Sequence, residues 1–116
     1  MAAETTLTID AVRGSDPGTM ILRFNGPIIL GNLPPLRALL RSGEPPRLTI
    51  LDLTNVAFID SSGMSEIINH EVYCRDKHVR LALAGVSARV LGILRITRLD
   101  EVLTIAANVE DAEAMA

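Results

Sequence analysis

The residues best placed to do chemistry form a tetrapeptide, Asp60-Ser61-Ser62-Gly63, between an aliphatic run and an apolar helical pattern. A serine at the start of a helix lies beside unpaired backbone N–H groups and the positive end of the helix dipole. A phosphate there adds about two negative charges, which that setting stabilises locally while the new charge repels or reshapes a docked partner. Spacing alone favours a plainer role, because Asp and Ser before an apolar helical pattern are ordinary caps and Gly63 suits a tight turn. The two roles are compatible: Asp60 or Ser62 can cap while Ser61 points outward.

Other constellations carry less. Glu66, His70, Cys74 and His78 recur every four residues, and on a helix His70 and Cys74 could share a divalent metal. The expected reading is an exposed polar face, with Glu66–His70 and Glu71–Arg75 as weak pairs and His78 beyond the helix end; no metal site is assigned. Glu71 falls near the centre of the stripe set by Met64, Ile67 and Ile68. A buried unpaired carboxylate is costly, so it should lean outward or pair with Arg75. A serine hydrolase needs a base within hydrogen-bond reach, but His70 follows Ser61 by roughly 13 Å of helix. Gly-x-Ser-x-Gly and a Gly-rich phosphate loop with Lys are both absent. The chain does not read as an enzyme, and nothing calls for a cofactor.

The elements that position these residues follow from composition and period. With 116 residues the chain suits a single domain. Hydrophobic residues make up 48% but aromatics only 3%, so Leu, Ile, Val and Ala must build the core, as suits a sheet covered by helices. The net charge of −3 with dispersed Lys and Arg argues against nucleic-acid binding. A lone Cys74 excludes an internal disulfide and fits a reducing compartment. No apolar stretch approaches the roughly 20 residues of a span, so membrane insertion is not expected and a cytoplasmic location is.

Thr6–Val12 alternates as a half-buried strand, and Thr19–Phe24 follows a turn rich in Gly, Asp and Pro, so the two should form an antiparallel hairpin. Leu33–Arg41 has helical spacing with Pro34 and Pro35 in its first turn. Leu48–Leu53 reads as a central strand buried on both faces. Met64, Ile67, Ile68 and Val72 mark one face of the next helix, and Val79–Ala84 is a fourth strand. Ser87 caps a short helix through Leu94, with Val90, Leu91 and Leu94 inward. Val102–Ala106 is a fifth strand, and Asn108 opens a loosely helical tail. The expected class is α/β, a mixed, mostly parallel sheet of about five strands with about four helices.

The stretch Leu51-Asp-Leu-Thr-Asn-Val-Ala-Phe-Ile-Asp-Ser-Ser-Gly-Met64 resembles the signature of STAS domains, specifically bacterial anti-sigma-factor antagonists. The resemblance continues through Leu81–Val90 and Ile96–Leu103 and spans nearly the whole chain. It implies a partner-switching protein without enzymatic activity. In that family a partner kinase, itself an anti-sigma factor, phosphorylates the first serine of the motif, and a phosphatase resets it. The matching phosphoacceptor is Ser61, and the implied docking surface comprises Asp60, Ser62, Gly63 and Met64 with Gly26, Pro27 and Ile28. Many antagonists carry Gly-Glu-Leu-Asp after the second strand; here Gly26-Pro27-Ile28-Ile29 places Ile29 at the position of that acid. This departure supports the alternative of a non-phosphorylated STAS adaptor within a larger scaffold or lipid-transport complex. Sheet edges leave room for a weak homodimer.

Overall fold

In the computed structural model, which describes residues 6–115, the opening hairpin pairs β1 (Thr8–Arg13) with β2 (Thr19–Asn25) antiparallel. Its turn is closed by local hydrogen bonds. Gly14 N donates to Thr19 O at 2.8 Å, and the Asp16 carboxylate accepts from Gly18 N at 2.9 Å. Arg47 reaches across to both oxygens of Asp16.

The strands β3 (Leu48–Asn55), β4 (Arg80–Ala84) and β5 (Thr104–Ala106) add on in order, each parallel to its neighbour, giving the sheet β1-β2-β3-β4-β5. Parallel pairing forces a crossover between successive strands, and these crossovers are the helices α1 (Leu33–Leu40), α2 (Ser61–Asp76) and α3 (Ala88–Ile96). A short α4 (Val109–Glu113) ends the described chain, capped by the Asn108 side chain, which accepts from Asp111 N at 2.8 Å. The mixed, mostly parallel α/β sheet expected from the sequence is the one found.

The helices cover the two faces of the sheet unequally. Leu36 of α1, Ile67 of α2 and Leu94 of α3 pack with Phe24, Leu51 and Leu53 in one large cluster. The opposite face holds a smaller cluster in which Ile21, Ile50, Ala82 and Ala106 meet Ala112 of α4. Both faces of the middle of β3 are therefore buried, as its unbroken aliphatic run predicts.

Three expectations are corrected. The fifth strand starts at Thr104, not Val102, because a tight turn over Leu99–Glu101 holds the chain before it and Leu103 N donates to Leu99 O at 2.9 Å. Val72 continues the line of Ile68 but does not join the core: it is 53% exposed. The polar stripe on that helix is not exposed. Glu66, His70, Glu71 and Cys74 are all buried, and Glu66 pairs with Arg37 of α1 at 2.9 Å rather than with His70. Glu71 is buried yet paired with Arg75 at 2.6 Å, the partner its position called for. The helix ends before His78, which lies outside it at φ 59°.

His70 gives a pH signature. Its pKa lies below the ordinary imidazole value, first because burial disfavours the charged ring, then because Arg41 repels it, with Glu66 opposing. The unfolded chain therefore takes up a proton at higher pH than the folded one. The contribution of His70 to stability should be constant above the ordinary value of 6.5 and fall as pH drops from there to the lower folded value. Thermal unfolding of the wild type and His70→Gln between pH 7.5 and about 5 checks this. The variant should lose that slope; an unchanged slope would remove His70 as its source.

Candidate functional site

The carboxyl end of β3 leads into a loop that the chain pins from two sides. Ile28 and Ile59 form a parallel bridge outside the main strands. Ile28 N donates to Phe58 O at 3.1 Å, and Asp60 N donates to Ile28 O at 3.1 Å. The loop after β2 is thus stitched to the loop after β3. Gly26 makes the turn into this bridge at φ +117°, where a Cβ would collide with Thr6 O.

Of the two caps the sequence allowed, Asp60 and Ser62, the helix uses Asp60, and this residue does more than cap. One carboxylate oxygen accepts from Gly63 N at 2.7 Å, closing the first turn of α2. The other accepts from Leu30 N at 3.1 Å, fixing the neighbouring loop. Gly63 is buried against that loop, and a Cβ there would lie 2.4 Å from Ile28 O. Ser61 occupies the first helical position and is exposed. Its hydroxyl has no hydrogen-bond partner among the described residues. Ser62 is half-buried. Asp60 therefore caps while Ser61 presents its oxygen at the positive end of a helix of 16 residues.

The other residues anticipated for docking divide. Gly26 and Pro27 are half-buried, and Met64 is buried with one edge on the groove described next. Ile28 does not offer a side chain: it is 0% exposed, part of the core, and contributes only backbone to the site. Ile29 is half-buried and places no charge beside Asp60. His70 lies on the buried side of α2, away from the exposed Ser61, so no Ser–His pair forms. Among the described residues no three His, Cys, Asp or Glu side chains converge as metal ligands. Burial, with the Glu71 charge adding to it, pushes the Cys74 thiol up to about 11, so it stays a protonated core residue.

A feature not anticipated from the sequence lies beside Ser61. An open groove of about 650 Å³ runs between α2 and the end of α3, with Ser61 on its wall. Phe58, Met64, Ile68, Ile93 and Leu99 give it an apolar lining. The guanidinium of Arg89 sits 5.2 Å over the Phe58 ring at its rim. The signal was available in α3, where Ile93 and Ile96 lie off the inward stripe of Val90 and Leu94.

The bridged loops, the capped serine and the five-stranded mixed sheet together define a small α/β domain whose exposed hydroxyl stands at a helix start. Residues 11–112 match the model of the STAS domain, and the chain belongs to that family. A sulfate transporter family protein from Wolinella succinogenes has a similar structure, with TM-score 0.76 and 27% identity over 89% of this chain and 92% of that one. An anti-sigma factor antagonist from Mycobacterium paratuberculosis superimposes with TM-score 0.82 at 18% identity, covering 95% of this chain and 93% of its own. Solute carrier family 26 member 10 of Mus musculus is 28% identical over 114 aligned positions, 86% of this chain. The match spans only 17% of that relative's length.

Proposed function

We propose that the protein is a partner-switching STAS module that binds an anti-sigma factor with serine-kinase activity through Asp60–Met64 and is switched by phosphorylation of Ser61. The observation that carries this reading is the division of labour in the turn. Asp60 spends both carboxylate oxygens on backbone N–H groups, which leaves Ser61 exposed and unpartnered on a rigid support. A phosphate on Ser61 meets the free N–H groups of the first helical turn without disturbing the cap. Among the described residues no general base lies within hydrogen-bond reach of the serine, which supports binding as its role. Gly26 and Pro27 frame the docking surface, and a phosphatase resets it.

Incubation with candidate kinase-type anti-sigma factors and ATP, followed by mass spectrometry, tests this. Phosphate should appear on Ser61 and vanish in Ser61→Ala. Ser61→Asp should weaken partner binding by about tenfold or more with an unchanged unfolding temperature. Equal binding by wild type and Ser61→Asp would end the charge-switch reading.

A second reading has its own support: the similarity to a solute carrier family 26 protein, of which this chain spans a small fraction. It would make the chain a non-phosphorylated adaptor in a larger assembly. A stable complex without label on Ser61 would favour it. Homodimer formation would use the exposed edge strand β1.

A further inference from the structure

Six large apolar side chains are exposed among the described residues, and two of them, Phe58 and Ile93, meet at one groove, the one beside Ser61. Ile96 lies on α3 three residues beyond Ile93, so on the same side of the helix. Leu30 is tied to Asp60 through its backbone N–H. At the far end, Val72 follows Ile68 by one helical turn, and Arg75 reaches from α2 to the Val102 carbonyl at 2.9 Å. An apolar groove with further exposed apolar side chains near its ends marks an interaction site. From Ser61 to Val72 its wall runs about 16 Å along α2, three turns of helix.

Although the chain carries a net charge of −3, two arginines, Arg89 and Arg98, stand on the α3 side of the groove. The acid that lines the groove, Asp60, has both oxygens bound to backbone N–H groups. On the α2 wall Ser65 and Asn69 are neutral. On the α3 side Arg89 lies over Phe58, and Arg98, 84% exposed, stands next to Leu99. Its contact with the exposed Glu101, at 3.9 Å, is long and solvated, so Arg98 is free to turn toward a partner's carboxylate.

We propose that this groove receives an amphipathic helix of the partner protein, about three turns long, whose apolar face is flanked by acidic side chains. The inference rests on the reading of Ser61 as the centre of a docking surface, and it names what docks. Apolar anchors at i, i+4 and i+7 would fill the space between α2 and α3 while carboxylates meet Arg89 and Arg98. A phosphate on Ser61 would then stand on the groove wall among the partner's acids, so one charge opposes several.

The test uses two synthetic helical peptides of about 18 residues, each with a leucine face, one flanked by glutamates and one by lysines. Binding is followed by amide chemical shifts of the isotope-labelled protein. The glutamate peptide should shift amides of residues 58–72 and 89–99 and bind about tenfold tighter than the lysine peptide. Arg89→Glu should reverse that order, and Ile93→Ser should weaken both peptides. Circular dichroism checks that each variant is folded. Equal affinity of the two peptides, or shifts elsewhere on the molecule, would overturn the proposal. So would laurate shifting the groove amides while both peptides fail, since the occupant would then be an acyl chain. The two readings fail separately. A kinase that labels Ser61 but binds Arg89→Glu as well as wild type leaves the switch standing and removes the acidic helix. Peptide discrimination without any Ser61 label does the reverse.

Discussion

Gly63→Ala should destabilise the protein by about 2–3 kcal/mol and, on the proposed function, abolish partner docking along with it. The methyl group would lie 2.4 Å from Ile28 O and 2.8 Å from Ile28 Cγ2, and the nearest obstacle is backbone that cannot rotate away. Relief requires moving Ile28, whose carbonyl accepts from Asp60 N and whose N–H donates to Phe58 O. Both loops of the site shift together, and the Ser61 hydroxyl moves with them. Ala has the better helix propensity, about 1 kcal/mol over Gly, so a net loss must come from this contact. Gly92→Ala provides the control of opposite sign: it lies inside α3, where a Cβ meets nothing within 4 Å. That variant should gain about 0.5–1 kcal/mol. Urea unfolding of both variants measures the contrast. If Gly63→Ala is neutral or stabilising, the close approach of the two loops is not what requires glycine at this position.

Gly63 also shows how far the sequence could be read. The helix start was legible, with Asp60 as one of two possible caps, because both depend on neighbours in sequence. Gly63, expected in a tight turn, lies inside the helix's first turn. The reason for the glycine was not legible, since the atom it avoids belongs to Ile28, distant in sequence and brought close by a bridge between two loops. The same distinction runs through the chain. Strand and helix order follows from local period, and the α/β class with it. The end of β5 next to Val102 follows from a turn centred on Leu99–Glu101, which no period announces. The groove needs α2 and α3 side by side. In the sequence its members are scattered from Phe58 to Leu99, and only the off-phase Ile93 and Ile96 hint at it. The Glu66–His70–Cys74 stripe misled for a related reason: polar spacing suggested solvent, but α1 packs over that side and supplies Arg37.

Arg37→Ala should therefore cost about 2 kcal/mol, although arginine on a helix surface is ordinarily close to neutral. Glu66 is 3% exposed on its side chain, and its Oε1 accepts from Arg37 Nε at 2.9 Å. Its Oε2 is buried with no hydrogen-bond partner, so the arginine is the main compensation for a carboxylate taken out of water. Removing it strands that charge. The loss stays below the 3–5 kcal/mol of a fully buried pair because Arg37 is itself 57% exposed and water can follow it in. A double-mutant cycle separates this from simple loss of side-chain packing. Glu66→Met keeps the volume, removes the charge and should lie within about 1 kcal/mol of wild type. In that background Arg37→Ala should cost only a few tenths of a kcal/mol, giving a coupling energy above about 1 kcal/mol. Additive losses would mean that Glu66 is solvated and that the α1–α2 contact is held by Leu33, Leu36 and Ile67 alone. A strong coupling would instead identify the buried acid as the reason α1 carries an arginine at this position. It would also account for a buried acid on the packed side of a helix whose opposite side carries the exposed Ser61.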